Sequence, residues 1–220
     1  MIATDTARPS ARARDALALG VIVVVTVLLA LLVGVQGEFP LNDDWAYAWS
    51  AQHFADTGEM RILDWAAPSL IAHLAWGALV VKLAGPSYVA LRVGTLAFAA
   101  TASCLLYVLA RKSALSSAPA LAMALALSTS PWWAAVSFTY LTDVPWLAAM
   151  LGAFVCAACA SVTMSARSLA WWAAASVLVG LAALSRQFAV IALPAFVLLA
   201  LRDARAQSEQ HVVRGFIARS

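Results

Sequence analysis

The sequence predicts an all-α, polytopic transmembrane helix bundle. Three observations carry this expectation. The chain is 64% hydrophobic and 11% charged, whereas soluble domains run to about 45–50% apolar and about 25% charged residues. Its mean hydropathy is +0.86. Its charges divide it into long uncharged runs, and a backbone in lipid must satisfy its own hydrogen bonds, which makes each spanning run a helix. At about 20 residues per span, 220 residues hold about six helices and leave no room for a separate soluble domain.

The first run, Ala16 to Gly37, is uncharged over 22 residues. That exceeds the roughly 7–15-residue core of a signal peptide, and "GVQGEF" is a poor cleavage site, so the run reads as a retained first span. Further uncharged runs are Val93–Ala110, Ser113–Thr142, Val144–Ala166, Ser168–Ser185 and Gln187–Leu201. They predict spans near 16–36, 89–110, 115–134, 143–163, 168–185 and 188–201. Pro131 and Pro145 fall near span ends, where a missing N–H costs least, and Pro194 is expected to kink the last span.

The segment 68–85, "PSLIAHLAWGALVVKLAG", is apolar but short and contains His73 and Lys82. If it lies in the interface, one membrane side carries ten basic and four acidic residues and the other carries four basic and seven acidic. The positive-inside rule favours that arrangement. The expected organisation is a cytoplasmic tail over 1–15, a membrane module over 16–201 and a cytoplasmic tail over 202–220. Within the module, residues 37–88 form one long outer loop of amphipathic helices. Trp45, Trp49 and His53 recur there at helical spacing, as do Tyr47 and Phe54, which suits a helix lying with its aromatic face at the headgroups.

Three polar sites stand out: Asp43-Asp44 after the first span, Asp143 in "FTYLTDVPW" and Arg186 in "ALSRQF". The predicted topology puts all three at the non-cytoplasmic face. A charge near the bilayer core costs about 2.5–3.5 kcal/mol on insertion scales, so such residues commonly face a cavity and serve a function. A charge at a span end can also simply reach the interface. Asp43 or Asp44 could act as a general base, since adjacent carboxylates resist joint ionisation. Arg186, with Lys82 or Arg92, could neutralise a phosphate. A divalent metal is left open as a cofactor: Asp43, Asp44, Asp64, Asp143, His53 and His73 offer ligands, with Asp44, Asp64 and His73 the set singled out.

The cysteines Cys104, Cys156 and Cys159 lie in apolar runs and form no disulfide framework. There is no Walker loop, no G-x-G-x-x-G and no H-E-x-x-H, and nothing points to nucleic acid.

The order of motifs resembles the N-terminal module of the GT-C glycosyltransferases. The stretches are "NDDWAYAWSAQHFADTGE", "KLAGPSYVALRVG", "LLYVLARK", "SPWWAAVSFTYLTDVPW" and "GLAALSRQF". The family-39-like and RgtA/B/C/D-like members are nearest in pattern, with the lipid A aminoarabinose transferases and the protein O-mannosyltransferases as relatives. The resemblance covers roughly residues 16–200 and implies a multi-pass protein of the bacterial cytoplasmic membrane. It implies a polyprenyl-phosphate sugar donor within the membrane lipid and a glycan, lipid or protein acceptor at the outer face. The family's catalytic acid falls on Asp43 or Asp44, its fourth-span acid on Asp143 and its phosphate-side basic residue on Arg186. Where many members carry a Glu/His-Lys/Pro-Pro motif, this chain reads "DWAAPSL", and only Asp64 and Pro68 correspond. Members are usually considerably longer, so a fragment, a truncated gene product or one half of a split enzyme is expected. The alternatives are a transporter or flippase subunit, which should show internal repeats, and an inactive membrane scaffold.

Overall fold

A computed structural model describes residues 10–34, 36–64, 66, 70–160, 165–199 and 201. Among these, all regular structure is helical: α1 (Ala11–Val33), α2 (Asp44–Thr57), α3 (Ile71–Ala84), α4 (Tyr88–Lys112), α5 (Ser117–Ser128), α6 (Pro131–Ser137), α7 (Asp143–Cys159) and α8 (Ala166–Ser185). A 3-10 segment, Gln187–Ala192, then leads into a short helix ending at Leu199. The expected all-helical membrane architecture is what the chain forms. Three helices, α1, α4 and α8, are long and apolar enough to cross a bilayer, or four if the bent pair α5–α6 is one span. The remaining two expected spans, α7 and 187–199, are shorter apolar helices.

Prolines explain two of the departures from plain spans. The run expected over 115–134 breaks between α5 and α6 with a bend of 60°. Pro131 occupies the first turn of α6, where its fixed φ starts a helix and its missing N–H ends the one before. Pro145 likewise stands in the first turn of α7. Pro194 does not kink a continuous helix as expected. It sits at the start of the final helical stretch, behind the 3-10 segment, where the N–H it lacks would have had no helical partner.

Polar contacts fix α1 and α4 antiparallel. At one end the Tyr107 hydroxyl donates to Asp15 Oδ1 at 2.5 Å and the Arg111 Nε–H donates to the same oxygen at 2.9 Å. At the other end Arg92 donates to the carbonyls of Gly37, at 2.9 Å, and of Phe39. Ser87 and the Tyr88 amide donate to the Glu38 carboxylate at 2.6 and 2.7 Å. Arg92 and Arg111 are 19 residues apart, about 28 Å of helix, close to the thickness of a hydrocarbon core. Two polar layers therefore bracket an apolar slab. The outward side chains of α1, such as Leu31, Leu32 and Val33, are exposed, as a lipid-facing stripe must be.

The segment expected to be the outer loop carries two helices, α2 and α3, packed on each other. α2 is two-faced. Trp45 and Trp49 are exposed, whereas Ala46, Tyr47, Ser50 and Ala51 are buried. The expectation that Tyr47 joins the headgroup face is therefore corrected: it lies two residues from each tryptophan, about 200° round the helix, and points inward. α3 packs closely there because Gly77 has no side chain. A Cβ on Gly77 would fall 1.9 Å from the Tyr140 hydroxyl and 2.8 Å from the Ala51 Cβ.

Candidate active site

The acidic doublet sits in a tight turn. Asn42 adopts φ 56°, a left-handed conformation that asparagine tolerates better than most residues. The Leu41 amide donates to Asp44 Oδ1 at 2.6 Å, and the Asp44 amide closes back on the Leu41 carbonyl at 3.4 Å. The two acids then separate. Asp44 is fully buried, with Oδ2 3.6 Å from Arg92 Nη2, itself 1% exposed. Burial raises the Asp44 carboxyl above the usual carboxylate range, opposed by the Leu41 amide and by Arg92. Asp43, at the N-cap of α2, is half-buried and belongs to a different neighbourhood.

That neighbourhood is centred on Tyr47, one helical turn along α2. Burial pushes the Tyr47 phenol up; Asp43 and Asp143 push the same way, and Arg186 opposes them. Asp143, at the start of α7, is ion-paired with Arg186, at the end of α8. Both remain partly exposed, at 41% and 30% of their side chains. Three charges widely separated in sequence thus gather around one tyrosine at one end of the bundle. This is the end that carries Arg92, opposite the Asp15–Arg111 contact.

Behind Tyr47 lies an aromatic stack. The His73 ring packs edge-on to Tyr47 at 5.9 Å and flat on Tyr140 at 4.1 Å. The Tyr140 hydroxyl donates to the His73 carbonyl at 2.8 Å. His73 is 1% exposed, with both ring nitrogens buried and the ring against the Tyr140 backbone. Burial lowers its pKa to about 3, so the imidazole is neutral.

Beside this stack a cavity of about 660 Å³ runs between α3, α4, α7 and α8. Its walls are apolar, with Trp76, Phe98, Leu105 and Leu178 among them. His73, Pro145 and Ser185 also line it. Pro145 is two residues from Asp143 and Ser185 adjoins Arg186, so these two wall residues are close in sequence to the ion pair.

The expected site residues therefore divide. Asp143 and Arg186 come together, and both, with Asp43, act electrostatically on Tyr47. Asp44 and Arg92 face each other inside the protein, and Arg92 is not open to a phosphate as expected: its charge is taken up by Asp44 and two backbone carbonyls. Lys82 is exposed in the last turn of α3, nine residues and about 13 Å of helix from His73, and does not join the cluster. The set Asp44, Asp64 and His73 does not converge on a metal position. Asp64 is exposed in a turn, and among the described residues no three histidine, cysteine, aspartate or glutamate side chains cluster. His53 stacks on Trp49 at 5.2 Å, on the outer face of α2. Pro68, the other residue matched to the family motif, lies outside the described residues. Cys104, Cys156 and Cys159 are unbonded.

Sequence reasoning did not single out Tyr47 or Tyr140 as site residues. The signal for Tyr47 was present: it stands four residues after Asp43, the spacing that puts two side chains on one helix face.

No curated relative and no solved structure matches the chain. Residues 67–217, well over half of the chain, match the family model described as dolichyl-phosphate-mannose-protein mannosyltransferase. The match takes in Asp143, Arg186 and the cavity walls, and begins after Asp43. An all-helical membrane chain with this match belongs to the dolichyl-phosphate-mannose-protein mannosyltransferase family and is a membrane glycosyltransferase of the GT-C type.

Proposed function

We propose that the protein transfers a sugar from a polyprenyl-phosphate donor to a hydroxyl of a glycan, lipid or protein acceptor. The reaction takes place at the outer face of a bacterial cytoplasmic membrane. The observation that carries this reading is an apolar cavity whose wall residues Pro145 and Ser185 stand next in sequence to the partly exposed Asp143–Arg186 pair. A nucleotide-sugar site needs polar walls for base and ribose. A cavity with apolar walls in a chain region that also holds a partly exposed arginine suits a lipid carrying one phosphate.

In this reading Asp43 accepts the proton of the acceptor hydroxyl. The freed oxygen lone pair attacks the anomeric carbon of the sugar. The bond from that carbon to the phosphate oxygen breaks, and polyprenyl phosphate leaves with the electron pair. Arg186 offsets the charge that develops on the phosphate, as a guanidinium fork does well. Asp143 holds Arg186 in place and keeps the empty site near neutral.

The test uses the purified protein in lipid nanodiscs with polyprenyl-phosphate sugars and membrane extract as the acceptor source. We expect acceptor-dependent release of polyprenyl phosphate. Sugar transfer from a nucleotide sugar with none from any polyprenyl-phosphate sugar would overturn the reading.

A further inference from the structure

The end of the bundle opposite the candidate active site has an opening of its own. A groove of about 410 Å³ lies between α1 and the start of α5. Arg14, Leu17, Ala18 and Val21 line it from α1, at the i, i+3, i+4, i+7 spacing that shares one helix face. Ser116, Ser117 and Leu121 line it from the other side. The Tyr107 hydroxyl meets Asp15 Oδ1 at 2.5 Å and Ser117 Oγ at 2.9 Å, which sets the two helix starts at one level. The groove is therefore layered. Arg14 and the two serines form a polar mouth, and Leu17, Val21 and Leu121 follow within about 10 Å along the helices. Its wall is open to lipid, since Leu17 is 68% exposed.

The charge at the mouth has one sign. Asp15 is the one acid of α1, α4 and α5, and it already accepts from Tyr107 and Arg111. Arg111 also donates to the Leu115 carbonyl at 2.6 Å. Arg14 is exposed, as are Arg12 and Lys112 at the same end. Ser116 makes no side-chain cap on α5, so the Ser117 and Ala118 amides, with no acceptor inside the helix, add neutral donors beside the arginine.

We propose that this groove binds one anionic glycerophospholipid of the adjacent leaflet. Its phosphate sits at Arg14 and the start of α5, and an acyl chain lies along Leu17, Val21 and Leu121. The predicted topology makes that leaflet cytoplasmic, where anionic head groups attract basic residues beside the membrane. A lipid seated there ties α1 to α5. The site is remote from sugar transfer and does not depend on that reading.

The test adds phosphatidylglycerol, phosphatidylcholine or inorganic phosphate to the purified full chain in neutral detergent and counts bound molecules by native mass spectrometry. One phosphatidylglycerol is expected to bind, about fivefold more tightly than phosphatidylcholine, the effect of one basic residue on an anionic head group. Inorganic phosphate should not be retained. A photoreactive phosphatidylglycerol should cross-link within residues 14–21 or 116–121. Arg14→Gln should remove the preference for phosphatidylglycerol, and Ala118→Trp, which fills the groove, should exclude both lipids. Lys82→Gln, at the other end of the bundle, should change nothing. Equal affinity for the two lipids, retention of inorganic phosphate as tight as that of phosphatidylglycerol, or cross-links confined to other segments would each overturn the site. So would a preference that survives Arg14→Gln, or one that Lys82→Gln removes equally, since charge anywhere on the protein would then suffice. The lipid comparison and the cross-link need no variant, so a substitution that misfolds cannot hide the answer.

Discussion

Asp43→Asn is expected to lower the rate of sugar transfer by about 10²–10⁴-fold, the range a positioned general base contributes. The fold should be unaffected. Asp43 is half-buried at an N-cap position where its side chain makes no capping hydrogen bond, and Asn is as good an N-cap residue as Asp. The neighbouring substitution separates the two carboxylates. Asp44→Asn keeps an acceptor for the Leu41 amide but leaves the Arg92 guanidinium, 1% exposed, without its counter-charge. Removing one partner of a buried pair costs about 3–5 kcal/mol. Thermal unfolding in detergent should therefore show Asp44→Asn strongly destabilised and Asp43→Asn close to the unaltered protein. The transfer assay on folded material should rank them the other way. Full transfer activity in Asp43→Asn would remove the base from the mechanism.

The second large effect is on the donor side. Arg186→Ala is expected to raise the KM for the polyprenyl-phosphate sugar about 10- to 150-fold, which corresponds to losing a hydrogen bond to a charged group worth about 1.5–3 kcal/mol. The fold should barely notice. The Asp143–Arg186 pair is 41% and 30% exposed, and pairs in contact with water contribute about 0–1 kcal/mol to stability. Arg186→Lys should recover part of the loss, because an ammonium supplies the charge without the two-pronged geometry. A donor KM unchanged in Arg186→Ala would place the phosphate elsewhere.

Much of this was legible in the sequence, and what was not has physical reasons. α1, α4 and α8 follow from charge-free runs, because a bilayer tolerates few charges and demands length. The meeting of Asp143 with Arg186 agrees with counting spans and balancing charge across the membrane. Orientation within a helix was harder to read. Arg92 and Asp44 look like site residues in a list of charges, but each faces the other, since a buried guanidinium next to a buried carboxylate solves two desolvation problems at once. Lys82 looks equally apt in sequence but sits at the far end of α3. The α5–α6 bend was hidden in a 30-residue uncharged run, where composition is uniform and only Pro131 marks the break. The 660 Å³ cavity was not legible at all, because it forms between four helices joined only by tertiary packing.

The central claim is that Asp43, Asp143 and Arg186 share one water-accessible hollow at the outer membrane face. The most direct test labels single cysteines at these three positions with a membrane-impermeant maleimide. The background has Cys104, Cys156 and Cys159 replaced by alanine, and Lys112→Cys serves as the opposite-face control. The account predicts labelling of positions 43, 143 and 186 from outside intact cells, and of position 112 only after the membrane is opened. Labelling of position 143 or 186 only from the cytoplasmic side would contradict it.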